Sequence, residues 1–279
     1  MAVGKIRHIA IFSENPANLA KFYGEVFGIK TTGVDDLGNA WVTDGYMDIA
    51  LLRRRSEKAP KVGINHFGFT IDPAERPALL ASMKKYGIEP YSPYVDAPEA
   101  HRPYAEDAVK DPMGNRFDVS TGMKDVRGGT GQTELAAGER PVIRHIALFS
   151  DDTEKLAQFY GECFGMKRTG ESKGDIWITD GWLDFALLSR KRPTAPHGIH
   201  HWGFTLPGES RDVIYDKLIA RGLPPSDPRA EDPTIDRPYV EDKGNDIDGN
   251  RFDLTTAKRD MDEEKRRTKE RLATLVPAK

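Results

Sequence analysis

Residues 144–150 read RHIALFS, and residues 7–13 read RHIAIFS. Each is followed by a related run, LAKFYGEVFGIK at 19–30 and LAQFYGECFGMK at 156–167. The agreement continues along both halves. WVTDGYMDIALLRR (41–54) returns as WITDGWLDFALLSR (177–190), and GINHFGFTID (63–72) as GIHHWGFTLP (198–207). HRPYAEDAVKDPMGNRFDVST (101–121) is answered by DRPYVEDKGNDIDGNRFDLTT (236–256). A period this long exceeds that of solenoid repeats and signifies a duplicated domain. The stretch GMKDVRGGTGQTELAAGERP (122–141), rich in glycine and small polar residues, separates the copies. The expected division is a first domain over 1–122, a linker over 123–141, a second domain over 142–256 and a charged, helical tail over 257–279.

A chain of 279 residues is long enough for two domains that each bury a core. Its net charge of −3 carries no basic excess, which argues against nucleic acid as a partner. There is no run of 18 apolar residues, and the N-terminal segment enters a strand without a signal-peptide core. The single cysteine, Cys163, excludes an intramolecular disulfide framework. It replaces Val26 of the other copy on a helix, so it reads as core and not as a nucleophile. A cytoplasmic protein is the default expectation, with a small-molecule substrate, no membrane partner and room for a homo-oligomer.

Within each half the pattern is strand, helix, strands, and then the same again. KIRHIAIF (5–12) has the composition of a strand. Pro16 suits the first turn of a helix, Leu19, Phe22, Tyr23 and Val26 follow at helical spacing, and Gly28 ends the run. Strands are expected near 40–43 and 46–52 around the hairpin signal Asp44-Gly45. A second unit has a strand over 62–71, a helix from about Pro73 to Tyr86 and a last strand over 115–121. The second half repeats this, with helices near 152–164 and 209–221. The fold class is α+β, with four βαβββ modules in two domains. One module cannot close a core or a cavity, whereas two together can form a curved sheet with a cleft.

Alignment of the copies pairs His8 with His145, His66 with His201, and Asp118 with Asp253. Each half thus supplies two imidazoles and one carboxylate, all on expected strands. Period two puts His66 on one face with Ile64, Gly68 and Thr70, and Asn65, Phe67 and Phe69 on the other. The aromatic face suits helices and the histidine face a cavity. Two histidines and a carboxylate can hold a divalent metal on one side and leave positions open for substrate. Nitrogen and oxygen donors without thiolate favour Fe(II), Mn(II), Ni(II) or Zn(II), and argue against a closed structural zinc site.

A strand histidine, then H-x-G-F-T, then D-P-x-G-N-x-F-acid resembles the vicinal oxygen chelate superfamily. That group includes glyoxalase I, fosfomycin-resistance and bleomycin-binding proteins, methylmalonyl-CoA epimerase and type I extradiol dioxygenases. The resemblance covers residues 5–121 and 142–256. It implies two domains of this fold and metal ligands at His8, His66, Asp118, His145, His201 and Asp253. The sequence departs from the family in two ways. The last ligand is usually Glu, whereas both copies have Asp. The tyrosine that extradiol enzymes place ten residues before that acid is Ala108 in one copy and Lys243 in the other. Tyr104 and Tyr239, from the repeated RPY, are nearby substitutes. His101 lies near the spacing of an extradiol histidine. His200 resembles a substrate-contacting neighbour in the hydroquinone-cleaving branch, with Arg237 as an anion or phenolate partner.

Two pairings stay open at this point. Consecutive modules would assemble His8/His66/Asp118 and His145/His201/Asp253, and a swapped arrangement would assemble His8/His201/Asp253 and His145/His66/Asp118. Four modules in one chain resemble the arrangement of extradiol dioxygenases and of fused glyoxalase-like proteins. The resemblance implies a ring-cleaving dioxygenase acting on a catechol or hydroquinone-like aromatic, with Fe(II) as the metal. The alternatives are a glyoxalase- or epimerase-type lyase or isomerase, and a protein that binds a drug or metabolite in the same cleft.

Overall fold

The computed structural model describes residues 2–54, 63–90, 106–121, 140–190, 198–226 and 241–256. The tail and nearly all of the linker lie outside them, as do His101, Tyr104, Arg237 and Tyr239.

The first half begins with β1 (Lys5–Ser13), α1 (Pro16–Phe27), β2 (Lys30–Val34), β3 (Ala40–Thr43) and β4 (Asp48–Arg53). It continues with β5 (Gly63–Thr70), a 3-10 turn (Pro73–Glu75), α2 (Arg76–Lys84), β6 (Glu106–Lys110) and β7 (Arg116–Ser120). The second half repeats the order as β8 (Val142–Ser150), α3 (Thr153–Phe164), β9 (Lys167–Ser172), β10 (Asp175–Thr179) and β11 (Asp184–Ser189). It closes with β12 (Gly198–Leu206), α4 (Gly208–Ile219), β13 (Glu241–Asn245) and β14 (Arg251–Thr256). Asp44-Gly45 makes a longer turn than a two-residue hairpin. The Asp44 carboxylate accepts from the backbone N–H of Tyr46 and Met47, so the strand starts at Asp48.

Each half forms one mixed seven-stranded sheet, in the orders β2-β3-β4-β1-β5-β7-β6 and β13-β14-β12-β8-β11-β10-β9. Consecutive modules therefore share a sheet. β1 and β5 join antiparallel at its centre, and β1 runs parallel to β4 and β5 to β7.

The cores are shared the other way. Asn15 caps α1 by accepting from Asn18 N at 3.1 Å, and Gly28 ends it in the left-handed region at φ +72°. The helix buries a broad face comprising Leu19, Phe22, Tyr23, Val26 and Phe27. Such breadth suits contact on two sides. α1 touches its own β2, β3 and β4. Phe27 also stacks on Phe204 of the other half, centroids 4.0 Å apart, and meets Phe252 edge-on. α3 does the reciprocal thing, with Phe164 stacked 3.8 Å from Phe69. Buried Tyr23 donates to Asp246 at 2.5 Å and buried Tyr160 to Asp111 at 2.8 Å. The aromatic faces foreseen for helices are thus covered largely by the helix of the opposite half. The two halves behave as a pseudo-dimer in their cores, although each keeps its sheet to itself.

Candidate metal centres

The opposite face of each sheet carries the candidate ligands. Strand register places His8 beside Gly68 and Gly68 beside Asp118. The second half repeats the row as His145, Gly203 and Asp253. The glycines let the outer two side chains approach. A Cβ at Gly68 would lie 3.1 Å from His8 Cδ2 and 3.3 Å from the Asp118 carbonyl, and one at Gly203 would lie 3.2 Å from both His145 and Asp253 Cβ. His66 and His201 stand two residues earlier on the glycine strands and complete the clusters.

The structure brings together His8, His66 and Asp118, and separately His145, His201 and Asp253. In each cluster the candidate ligand atoms lie within 4.8 Å of one another. His8 Nε2 is 3.2 Å from His66 Nε2, which is 2.9 Å from Asp118 Oδ2. The corresponding distances in the second half are 3.2 Å and 3.0 Å. The candidate ligand sets come from consecutive modules, not swapped ones.

A β-bulge orients the central imidazole of each cluster. The pairing of β1 with β5 skips one residue at Asn65, and that of β8 with β12 skips one at His200. The extra residue breaks strict alternation and turns its side chain toward the next one. Asn65 Oδ1 lies 2.7 Å from His66 Nδ1. Amide oxygen only accepts, so the contact puts the proton on Nδ1 and points the Nε2 lone pair inward. Nε2 faces a carboxylate oxygen 2.9 Å away, so a cation or a proton between them is held from both sides. Two nitrogens and one oxygen of this kind, with the remote nitrogen held by an amide, suit a divalent transition metal.

The second cluster differs in two positions. His200 takes the place of Asn65, with its Nδ1 2.8 Å from His201 Nδ1. Half-buried His200 packs on Phe149, and burial followed by Arg251 pushes its pKa down. Burial, then His145, Lys243 and His200, holds His201 far below the usual histidine range. Lys243 Nζ donates to both Asp253 Oδ2 and Glu241. Burial alone would raise the Asp253 carboxyl, but the Glu241 hydrogen bond, Lys243 and His145 outweigh it and hold the group below the usual carboxylate range. In the first half Ala108 pairs with Asp118 where Lys243 pairs with Asp253. Arg116 comes no nearer than 3.6 Å, and to Oδ1 instead of Oδ2.

Sequence reasoning noted Lys243 as a missing tyrosine and overlooked it as a cation at the ligand oxygen. The hairpin around Asp246–Asn250 was the available signal, since its register sets residue 243 opposite 253. Asp48 and Asp184, repeated in D-x-A-L-L, were also overlooked. They extend the row as parallel partners of His8 and His145. Burial raises the Asp184 carboxyl against the pull of His145.

No curated protein matches the chain. Among solved structures, the Mn(II)-bound glyoxalase from Novosphingobium aromaticivorans is 18% identical. The alignment covers 92% of this chain and 83% of that one, with TM-score 0.68. The 2,3-dioxygenase LapB from Pseudomonas sp. KL28 is 19% identical over 91% and 92% of the two chains, with TM-score 0.64. Homoprotocatechuate 2,3-dioxygenase from Arthrobacter globiformis is 19% identical over 91% and 80%, with TM-score 0.65. At such identity these likenesses establish the fold alone. Among the described residues no helix is long and apolar enough to cross a membrane. Residues 5–119 and 142–254 match the sequence profile of one family, which covers most of the chain. The chain therefore belongs to the glyoxalase/bleomycin resistance protein/dioxygenase superfamily.

Proposed function

We propose that the protein is a metal-dependent, extradiol-type dioxygenase that opens the ring of a catechol or hydroquinone-like aromatic. The observation that carries this reading is the cluster His8, His66 and Asp118, two imidazoles and one carboxylate converging from three strands. This donor set holds a metal on one side only and is the set used by non-haem Fe(II) oxygenases. Fe(II) held there supplies Lewis acidity toward substrate oxygens and one-electron chemistry toward O₂.

The chain's own residues do the rest. Asn65 fixes the His66 tautomer, and Gly68 keeps His8 and Asp118 close. Arg116, half exposed beside Asp118, meets an anionic phenolate at the rim. His101 and Tyr104, in the first half, are the proposed proton carriers for the first cluster. For the second cluster, His200 is the proposed substrate contact and proton carrier, with Tyr239 as the counterpart of Tyr104 and Arg237 as an anion or phenolate partner. A small aromatic substrate, a cytoplasmic setting and a homo-oligomeric state belong to the same proposal.

Anaerobic loading with Fe(II), followed by O₂ uptake against catechols and hydroquinones, tests it. Uptake that needs iron and disappears in His66→Ala is expected. Uptake without iron, or none with any diol, overturns it. Ala108, standing where extradiol enzymes have tyrosine, favours a second reading, proton abstraction next to a carbonyl as in glyoxalases and epimerases. Metal-dependent solvent-deuterium incorporation into an α-hydroxy or acyl substrate would identify that reaction. Tight binding of an aromatic ligand by metal-free protein, without turnover, would identify a binding protein.

A further inference from the structure

The two clusters share a backbone row and differ in what stands on the strand beyond the carboxylate. Oδ2 of Asp118 and Oδ2 of Asp253 are the oxygens that face the central imidazoles, at 2.9 and 3.0 Å. At Asp253 this oxygen already accepts from the Lys243 ammonium, whereas Ala108 brings no charge to Asp118. The Lys243 side chain is 12% exposed and Glu241 holds the same ammonium from the other side. A divalent ion entering this cluster must share Oδ2 with a fixed cation or drive that cation from two carboxylates. Like charges at such short range disfavour the first course, and loss of a buried, doubly hydrogen-bonded pair disfavours the second. Arg116 sets no such barrier in the first cluster. It approaches the other oxygen, and its side chain is 49% exposed and able to turn into solvent.

We propose that Lys243 takes the place of the metal in the second cluster, so that each chain binds one divalent ion, through His8, His66 and Asp118. The second cluster is then an ion-paired element of the sheet, with an ammonium between Asp253 and Glu241, and its imidazoles do not serve as ligands. This rests on the reading of the first cluster as a metal centre.

Metal content measured by atomic emission after loading with Co(II) or Mn(II) and desalting tests it, with Co(II) absorption in the visible as a second readout. The wild-type chain is expected to retain one ion, His201→Ala one, and His66→Ala none. Lys243→Ala, which reproduces Ala108, is expected to retain two, and Lys243→Met checks the same point at preserved side-chain length. Ala108→Lys is expected to remove the ion from the first cluster, with far-ultraviolet circular dichroism and melting confirming that each variant folds. Two ions in the wild type, one ion lost with His201→Ala, or one ion still in both Lys243 variants would overturn the proposal while leaving metal binding intact. No ion in the wild type or in either Lys243 variant would overturn the metal reading with it.

Discussion

Asn65 shows how much one inserted residue can decide. Read by alternation, it belongs on the aromatic face with Phe67. The bulge turns it instead onto His66, where its amide oxygen selects the tautomer a ligand needs. Asn65→Ala is expected to weaken metal binding roughly tenfold to a hundredfold without unfolding the protein, measured by competition with a chromophoric chelator. An unchanged affinity would mean that the contact does not orient the imidazole. Alternation, with the duplication that repeats them, does mark the candidate histidines and acids, though not how the modules pair. It does not reveal a bulge, which leaves no mark in hydrophobic period. Cys163 is the opposite case, a residue whose role is legible from its neighbours alone. Burial, followed by Glu162, pushes its thiol from the ordinary 9.0 up to about 12. The folded state therefore favours the neutral thiol. The stability from burying it is intact below pH 9.0 and is lost as pH rises through about 12. Iodoacetamide is expected to leave the native chain unlabelled at pH near 8 and to label it fully in urea, as mass spectrometry would show. Native labelling would contradict the packing around α3.

At the level of the strand, the site depends on glycine in the middle row. Gly68→Ala would place a methyl 3.1 Å from His8 Cδ2 and against the Asp118 carbonyl, and backbone cannot move aside as a long side chain can. Overpacking of this kind costs about 1–3 kcal/mol. The expected result is a lower melting temperature together with weaker metal binding, because β1 and β7 must both give way. Full metal affinity in Gly68→Ala would show that the row tolerates the extra volume. The strands that sequence reading recovered, β1, β5 and β7, are rich in β-branched and aromatic residues. β6 and β13 were harder to see. EDAVK and EDKGN have few residues with strand propensity, and Gly244 in β13 weakens the pattern further. The glycine has a packing reason, since a Cβ there would collide with the Phe252 ring at 2.4 Å. Missing β13 hid Lys243, because a side chain can be set opposite Asp253 only once its strand is known.

At the scale of the molecule, sheets join consecutive modules while cores join opposite halves. Local sequence cannot distinguish these. The aromatic faces of α1 and α3 require a partner, and nothing in their spacing says whose sheet supplies it. The symmetry is visible in matched pairs across the halves. The backbone N–H of Ile6 donates to Asp180 at 2.7 Å, and that of Ile143 to Asp44 at 2.6 Å. Tyr46 stacks on Trp182 with centroids 4.4 Å apart, and Arg7 and Arg144 cover these rings from either side. Truncating Phe27 or Phe164 to Ala should cost about 3–5 kcal/mol each. A stronger consequence concerns the first half alone. Without α3, Phe67, Phe69 and Phe117 would lose the cover of Tyr160 and Phe164, and α1 would lose Phe204 and Phe252. Each exposed face is close in shape to the one it lost, because Phe27 corresponds to Phe164 and Phe69 to Phe204. A second copy of residues 1–121 can therefore supply both missing surfaces, α1 of one copy lying on β5 and β7 of the other. Expressed by itself, this segment is expected to form a homodimer, measured by light scattering after size-exclusion chromatography. A folded, monodisperse monomer would show that the halves do not depend on each other for their cores, and that the cross-half aromatic contacts are incidental to folding.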